Sequence, residues 1–302
     1  MEPKHKLVVD DAKHELVVDD ARLQNLRARP SLPAYLTSLW QRRHFIWADA
    51  RRRAFSRGRD MYLGRAWLVL QPLLDSLVYV LIFGVILKLS RNIEHFIGYL
   101  VIGVIFYGFM NRGISNGSGL IQSSKGMIAS FSFPIASIPV SVVSRQLLDN
   151  IPPALVGMVI AMTVHQIVPS VSILAVIPLY LMIHAFSLGL MFVVARITAF
   201  IPDAKALVST FLRALFFISG VFFDIHRFDA NETIQSIMLA NPIFQFLTAV
   251  REATIYQSFP PVDRWLYLLL WTIGTLLVGL VFFWRAEDRY CLLYTSDAAD
   301  EE

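Results

Sequence analysis

The chain has 302 residues, of which 56% are hydrophobic and only 17% charged, with a formal net charge of +4. Soluble domains carry about a quarter charged residues, so a water-soluble globule is excluded and a polytopic membrane protein fits. The basic excess does not point to nucleic acid, because the arginines sit beside apolar spans, where basic residues fix membrane orientation.

Residues 4–21 read KHKLVVDDA then KHELVVDDA, a nine-residue tandem repeat differing only at Lys6 and Glu15. Two such units are too short for a solenoid. Residues 1–34 are therefore expected to form a mobile cytoplasmic tail. A six-helix membrane domain is expected over 35–290. It opens with aromatic and aliphatic residues among arginines: Tyr35, Leu36, Leu39, Trp40, Ile46 and Trp47 beside Arg43, Arg51, Arg52 and Arg53. This composition predicts an amphipathic helix lying in the interface, its cations toward lipid headgroups.

Apolar runs then predict six transmembrane helices: Ala66–Leu89, Phe96–Met110, Pro139–Val168, Val171–Ile201, Ala206–Phe223 and Trp265–Trp284. The fold class is thus all-α. Basic residues cluster before the first span, after the second (Arg112, Lys125), after the fourth (Arg196, Lys205, Arg213) and after the last (Arg285, Arg289). The bias puts both termini in the cytoplasm.

Two connecting segments carry information. The loop 111–134 is rich in Gly and Ser, ends at Pro134, and predicts a short surface helix around Leu120–Ser130. Segment 224–264 is half apolar and too short to cross twice. It predicts two short extracytoplasmic helices that re-enter the outer leaflet, turning at Asn241–Pro242.

Ionisable residues inside spans are costly and draw functional hypotheses. Asp75 is expected to meet an arginine of another helix or water. Arg145 and Asp149 are spaced for an i, i+4 ion pair, and His184 for a hydrogen bond to a neighbour. Aromatics crowd the first, second and fifth spans: Tyr79, Phe83, Phe106, Tyr107, Phe109, Phe216 and Phe217. Core or lipid packing explains any one of them. Together they are candidates for a pathway on which sugar rings could stack.

In the last twelve residues, CLLYTSDAADEE, the first eleven match an in-frame translation of a transposase adaptor, so 291–302 are expected to be a non-native read-through tail. The single cysteine, Cys291, lies there, which excludes a disulfide framework, and the seven histidines show no metal-ligand spacing. No secretory signal is expected, because the first apolar span begins near residue 66, too late for one. There is no GxxxxGK[ST] phosphate loop and no catalytic set that spacing can support. The energy for any work must then come from another chain. A membrane-embedded glycosyl- or acyltransferase of cell-envelope biosynthesis is the alternative, though the surroundings of Asp203 and Asp224 are thin for it. A channel without ATP is a third reading.

The stretches YLGRAWLVLQPLLDSLVYVLIFGVIL (62–87), GYLVIGVIFYGF (98–109), NGSGLIQSSKGMIASFSFPIASIP (116–139), ARITAFIPDAKALVSTFLRALFFISGVFF (195–223) and ANPIFQFLTAVREATIY (240–256) carry a resemblance by their order and spacing. The chain resembles the membrane-spanning permease subunit of ABC exporters for lipid-linked polysaccharide, of the O-antigen, wall teichoic acid or galactan type. FSRGRD stands where that family commonly has R-Y-R-x-S, and looks like an actinobacterial variant. The resemblance implies a homodimer in the bacterial inner membrane with two cytoplasmic ABC ATPase subunits. ATP and Mg would sit on the ATPase, with no cofactor on this chain. It implies a coupling helix at 117–130 facing the ATPase, with Asn116, Leu120, Ile121, Lys125, Phe131, Phe133 and Pro134 in that loop, and a second contact at 202–206. Segment 225–262 would supply gate helices, with Asn241, Pro242, Phe244 and Arg251, and a lipid-anchored glycan would pass between subunits.

Overall fold

The computed structural model describes residues 31–56, 64–87, 93–130, 133–225 and 231–290. The tandem repeat, Phe131 and the tail from Cys291 onward lie outside the described residues, as do the side chains of Arg53, Phe45 and Phe55.

The described residues form helices and turns: α1 (Leu32–Gln41), α2 (Arg43–Ser56), α3 (Trp67–Tyr79), α4 (Phe96–Ser115), α5 (Leu120–Ser123), α6 (Lys125–Ser130), α7 (Ser137–Asp149), α8 (Ile151–Val164), α9 (Val176–Phe200), α10 (Ala204–Ile218), α11 (Glu232–Leu239), α12 (Pro242–Thr254) and α13 (Val262–Trp284). Five spans are long and apolar enough to cross a bilayer: 67–86, 96–115, 137–164, 171–200 and 262–284.

Breaks within the spans follow local chemistry. The first carries Pro72 inside α3, and the Ser76 hydroxyl donates to the Pro72 carbonyl at 2.7 Å. It then widens into a π-helical turn over Val80–Ile86. The third is not one helix: α7 ends at Asp149, and Pro152 and Pro153 restart the chain as α8. Proline is preorganised for a first helical turn, where its missing N–H would have no partner anyway.

The expected fifth span is shorter than its apolar run. α10 has 15 residues, a rise of about 22 Å against a hydrocarbon core of about 30 Å. It stops because Ser219 leads into Gly220 at φ 64, a left-handed position that ends helices. Its register nevertheless shows how far it runs. Lys205 lies beside Gly119, the Tyr107 hydroxyl donates to the Leu212 carbonyl, and Tyr99 donates to the Gly220 carbonyl at 3.0 Å. α10 therefore runs antiparallel to the whole of α4.

The same reading orients the rest. Gly98 lies beside Ala161, and Ile105 beside Gly157, so α8 opposes α4. Phe109 faces His184, and Gly117 abuts Met191, so α9 runs with α4. Gly189 abuts Thr275, and Phe192 faces Phe283, so α13 runs with α9. α10 ends and α13 begins at one face. The bent pair α11–α12, which turns through 79°, returns to the face it left. α1, α5, α6, the 201–203 turn and residues 285–290 share the opposite face, called here the loop face.

α4 is the central helix, 78% of its apolar window lying inside the fold against 11% for the first span and 22% for the last. One core surrounds it, joining α4 to α8, α9 and α12. A second core sits at the loop face, where Tyr35, Ile121, Ile128, Ile135, Phe192, Phe283 and Tyr290 meet. Glu287 is buried at its edge, and burial pushes its carboxyl up to about 7. A folded-state pKa above the unfolded value of 4.5 means that the fold holds the proton more tightly. The stability it contributes is present below about pH 4.5 and is lost as pH rises toward 7, by about 3 kcal/mol. Thermal unfolding of the detergent-solubilised protein should show that slope, and Glu287→Gln should flatten it; an unchanged slope would remove Glu287 as its source.

Candidate functional site: a polar and aromatic cavity between α3, α4 and α10

The three helices enclose an open cavity of about 460 Å³. α3 lines it with Gln71, Asp75 and Tyr79, spaced i, i+4, i+8 on one stripe. α4 contributes Tyr107, Asn111, Arg112 and Ser115, and α10 contributes Ser209, Arg213 and Phe216. The helix register sorts these residues by depth. Toward the loop face are Gln71, Asn111, Arg112, Ser115, Ser209 and Arg213. Toward the other face come Tyr79, Tyr107 and Phe216.

The aromatic end is a packed cluster. Tyr79 lies 5.4 Å from Phe216 and 5.1 Å from Phe222, Tyr107 lies 4.9 Å from Phe216, and Phe83 stacks on Phe222 at 4.1 Å. Tilted and edge-on pairs at these distances are the favourable aromatic geometries. The hydroxyl of Tyr107 reaches the backbone of α10, so the seam between α4 and α10 is fixed by a hydrogen bond inside an apolar region.

Among the expected pathway aromatics, Tyr79, Tyr107 and Phe216 line the cavity. Phe83 and Phe217 lie in the cluster beyond it. Phe106 and Phe109 do not belong to it: both are buried in the main core, and Phe109 faces Tyr180 and His184. Sequence reasoning missed Gln71, Asn111, Ser115 and Ser209, and did not connect Arg112 and Arg213 to the same space. Asp75 is exposed on this cavity, which matches the expected water-facing group.

Arg112 also opens a buried polar chain. Its guanidinium donates to the Asn150 carboxamide at 3.2 Å, Asn150 lies 3.0 Å from His184 Nε2, and His184 Nδ1 lies 2.8 Å from the Tyr180 carbonyl. The expected neighbour bond of His184 is thus present. So is the Arg145–Asp149 ion pair, at 3.7 Å.

At the loop face the expected single coupling helix is two short ones, α5 and α6, broken at Ser124. Gly119 takes φ 72, and its N–H donates to Thr198 Oγ1 at 3.1 Å. Gln122 donates to the Thr198 carbonyl, which holds the loop on the end of α9. Ile121 is fully buried beneath the loop, Asn116 and Lys125 are exposed, and Leu120, Phe133 and Pro134 are half-buried. Lys205, just past the exposed 201–203 turn, lies beside Gly119, so the expected contact segments 117–130 and 202–206 are neighbours.

The segment expected as one interface helix is likewise two helices, α1 and α2, with Arg42 at the break. Tyr35, Ile46, Ala50 and Ala54 are buried, while Trp40 (69%) and Trp47 (48%) stand outward with exposed Arg43, Arg51 and Arg52. Arg43 lies 5.0 Å over the Trp40 ring.

In the bent pair, Asn241 marks the turn as expected. It caps α12 by accepting from the Ile243 N–H at 3.0 Å and donates to Ser219 Oγ at 2.9 Å. Pro242 begins α12, Phe244 packs beside Gly220, and Arg251 is fully buried.

These features are those of a multi-pass helical membrane protein with a cavity that grades from polar to aromatic. The ABC-2 type transporter family model matches residues 44–255, and the chain belongs to that family. It is 25% identical over 253 residues to the O-antigen export system permease protein RfbA of Myxococcus xanthus, covering 83% of this chain and 93% of the relative. It is 27% identical over 233 residues to the polysialic acid transport protein KpsM of Escherichia coli, covering 75% and 87%. Membership makes the chain a transporter membrane subunit and disfavours the transferase alternative.

Proposed function

We propose that this chain is the membrane-spanning subunit of an ATP-driven exporter of lipid-linked polysaccharide in the bacterial inner membrane. It would work as a homodimer with two copies of a cytoplasmic ABC ATPase, ATP and Mg being held by the ATPase. The observation that carries the reading is the cavity between α3, α4 and α10, in a chain similar to permeases named for O-antigen export and polysialic acid transport. Hydroxyl, amide and charged groups at one end suit a glycan and its anionic linkage. Aromatic faces at the other suit the C–H faces of sugar rings. Both α3 and α10 expose apolar side chains beside this cavity, among them Leu74, Leu77, Leu207 and Phe211, a surface suited to a second copy.

The loop face is assigned to the cytoplasm because Arg43, Arg51, Arg52, Lys125, Lys205 and Arg285 gather there. Trp40 and Trp47, with the arginines beside them, would rest α1 and α2 against headgroups of membrane lipids. α5, α6 and the 201–203 turn would take the push of the ATPase, and α11–α12 would re-enter the outer leaflet as a gate. ATP shifts the dimer only by binding one conformation better than the other.

Replacing both Tyr79 and Phe216 by Ala should lower export by roughly tenfold, equivalent to about 1.4 kcal/mol, with ATPase recruitment kept. Export can be read as surface glycan labelled by periodate and hydrazide, against lipid-linked glycan retained at the inner leaflet. Unchanged surface label on depletion of the wild-type protein would sink the reading.

A further inference from the structure

We propose that Glu287 is a positioning residue that transmits movement of the loop 116–134 to the α1–α2 pair, by way of Tyr35. The inference rests on the reading of that loop as the ATPase contact.

The geometry is a knot of three chain segments far apart in sequence. The Tyr35 hydroxyl, on α1, donates to Glu287 Oε2 at 2.7 Å. The Ile135 N–H, at the exit of the loop, donates to Glu287 Oε1 at 2.7 Å. The Ala136 N–H donates to the Tyr35 hydroxyl oxygen at 2.9 Å. Glu287, at the start of the helical segment 287–290 that follows α13, thus has each oxygen held by a different element, and Tyr35 closes the ring as donor and acceptor. Both side chains are buried, Tyr35 to 1% exposure and Glu287 to 9%.

The position matters because of what lies on either side. Ile121 and Ile128, the buried undersides of α5 and α6, share one apolar core with Tyr35, Ile135 and Ala136. Pro134 sits at the junction and stiffens it. A displacement of α5–α6 therefore reaches Ile135 through that shared core. The two short bonds carry it to the carboxylate and on to α1, which continues into α2 along α7. Packed interiors transmit such shifts rather than absorb them.

The residue choice supports a role beyond packing. Burying a carboxylate costs several kcal/mol before compensation, and an apolar side chain of similar volume is often neutral or stabilising in such a place. What the carboxyl adds is two directed bonds to two elements at once, charge-assisted in the ionised form, which an apolar side chain cannot supply.

The test uses cells whose only copy of the gene encodes the full chain as wild type, Glu287→Gln, Tyr35→Phe or the double variant. Export is read by periodate–hydrazide surface label. ATP hydrolysis is measured on the complex that co-purifies with a tag on this chain. Transmission predicts that each single variant assembles with the ATPase and hydrolyses ATP within about twofold of wild type while export per complex falls by about tenfold. It also predicts that the double variant is no worse than the worse single, since both cut one path. Gln keeps the shape of Glu, so loss of folding is guarded against, and a purely structural role would lower hydrolysis and export together. The proposal is overturned if export per complex stays within about twofold of wild type, if hydrolysis and export decline in step, or if the two losses multiply. A wild-type chain that recruits no ATPase overturns the underlying reading, and this proposal with it; a wild-type complex with unaffected variants overturns this proposal alone.

Discussion

Gly279→Leu should collapse the packing of α9 on α13 and lower the stability of the chain strongly. A Cβ at Gly279 would run into the backbone of Gly189, and a Cβ at Gly189 into the backbone between Thr275 and Leu276. The obstructing atoms are main chain, so no rotamer change relieves the clash and the helices must separate. Small residues at such crossings are what let membrane helices approach, because packing and polar contacts, not water exclusion, hold them together. Separation would also disturb Phe192 against Phe283 at 5.2 Å, and Arg196, which donates to the Phe282 carbonyl and lies 4.0 Å over its ring. Overpacking a core costs typically 1–3 kcal/mol, and where backbone cannot yield about 3 kcal/mol or more is expected. At about 2.1 cal/mol/K of unfolding entropy per residue, that lowers Tm by roughly 5 °C for a chain of this size. The internal control is Gly274, on the same helix, where an added Cβ meets nothing within 4 Å. Gly274→Ala should stay within about 0.5 kcal/mol. Equal losses at both glycines in thermal unfolding of the detergent-solubilised protein would refute the account.

Where apolar length decided the structure, the sequence was readable; where a distant carbonyl or a helix break decided it, it was not. Five spans follow from runs of about 20 apolar residues, with ends shifted by a few positions. The end of α10 was signalled by Ser219-Gly220, but Phe222 and Phe223 continue the apolar run and hide the turn. The break at Asn150 was signalled by Pro152-Pro153 in the same way. The cavity left a periodic trace that composition alone conceals. Gln71, Asp75 and Tyr79, then Tyr107, Asn111 and Ser115, then Ser209, Arg213 and Phe216, each follow helical spacing on otherwise apolar helices. Phe106 and Phe109 fall in the core and not on the cavity, and the sequence could not separate them from Tyr107 because α4 is apolar and buried on nearly every side. Glu287, beside Arg285 and Arg289, reads as one more juxtamembrane charge. Nothing local says that its partners lie 252 and 152 residues away.

The resemblance places Arg251 in the gate helices, and its surroundings show what it holds together there. It is fully buried, yet what its guanidinium meets is carbonyls: Tyr99 from Nε at 3.1 Å, Gly220 at 3.0 Å and Val221 at 3.3 Å. The Tyr99 ring lies 3.4 Å from its central carbon. Gly220 and Val221 follow the end of α10, where unpaired carbonyls and the helix dipole favour a cation. One side chain therefore pins α12 to the start of α4 and the end of α10, and Tyr99 repeats the tie through its own bonds to Gly220 and Phe223. Arg251→Ala would strand these acceptors and leave a cavity, at an expected loss of about 3–5 kcal/mol. Arg251→Lys keeps the charge but cannot span three acceptors with a rigid fork, and should recover only part. The damage should be local. Amide exchange should rise first across 219–256, while α9 and α13 keep their protection, because opening of a weakly tied unit precedes global unfolding. If exchange rose evenly over the whole chain, Arg251 would be a general core residue. If it did not rise at all, α11–α12 would be held by its apolar contacts alone, and the hairpin would have no single pin for a gate to turn on.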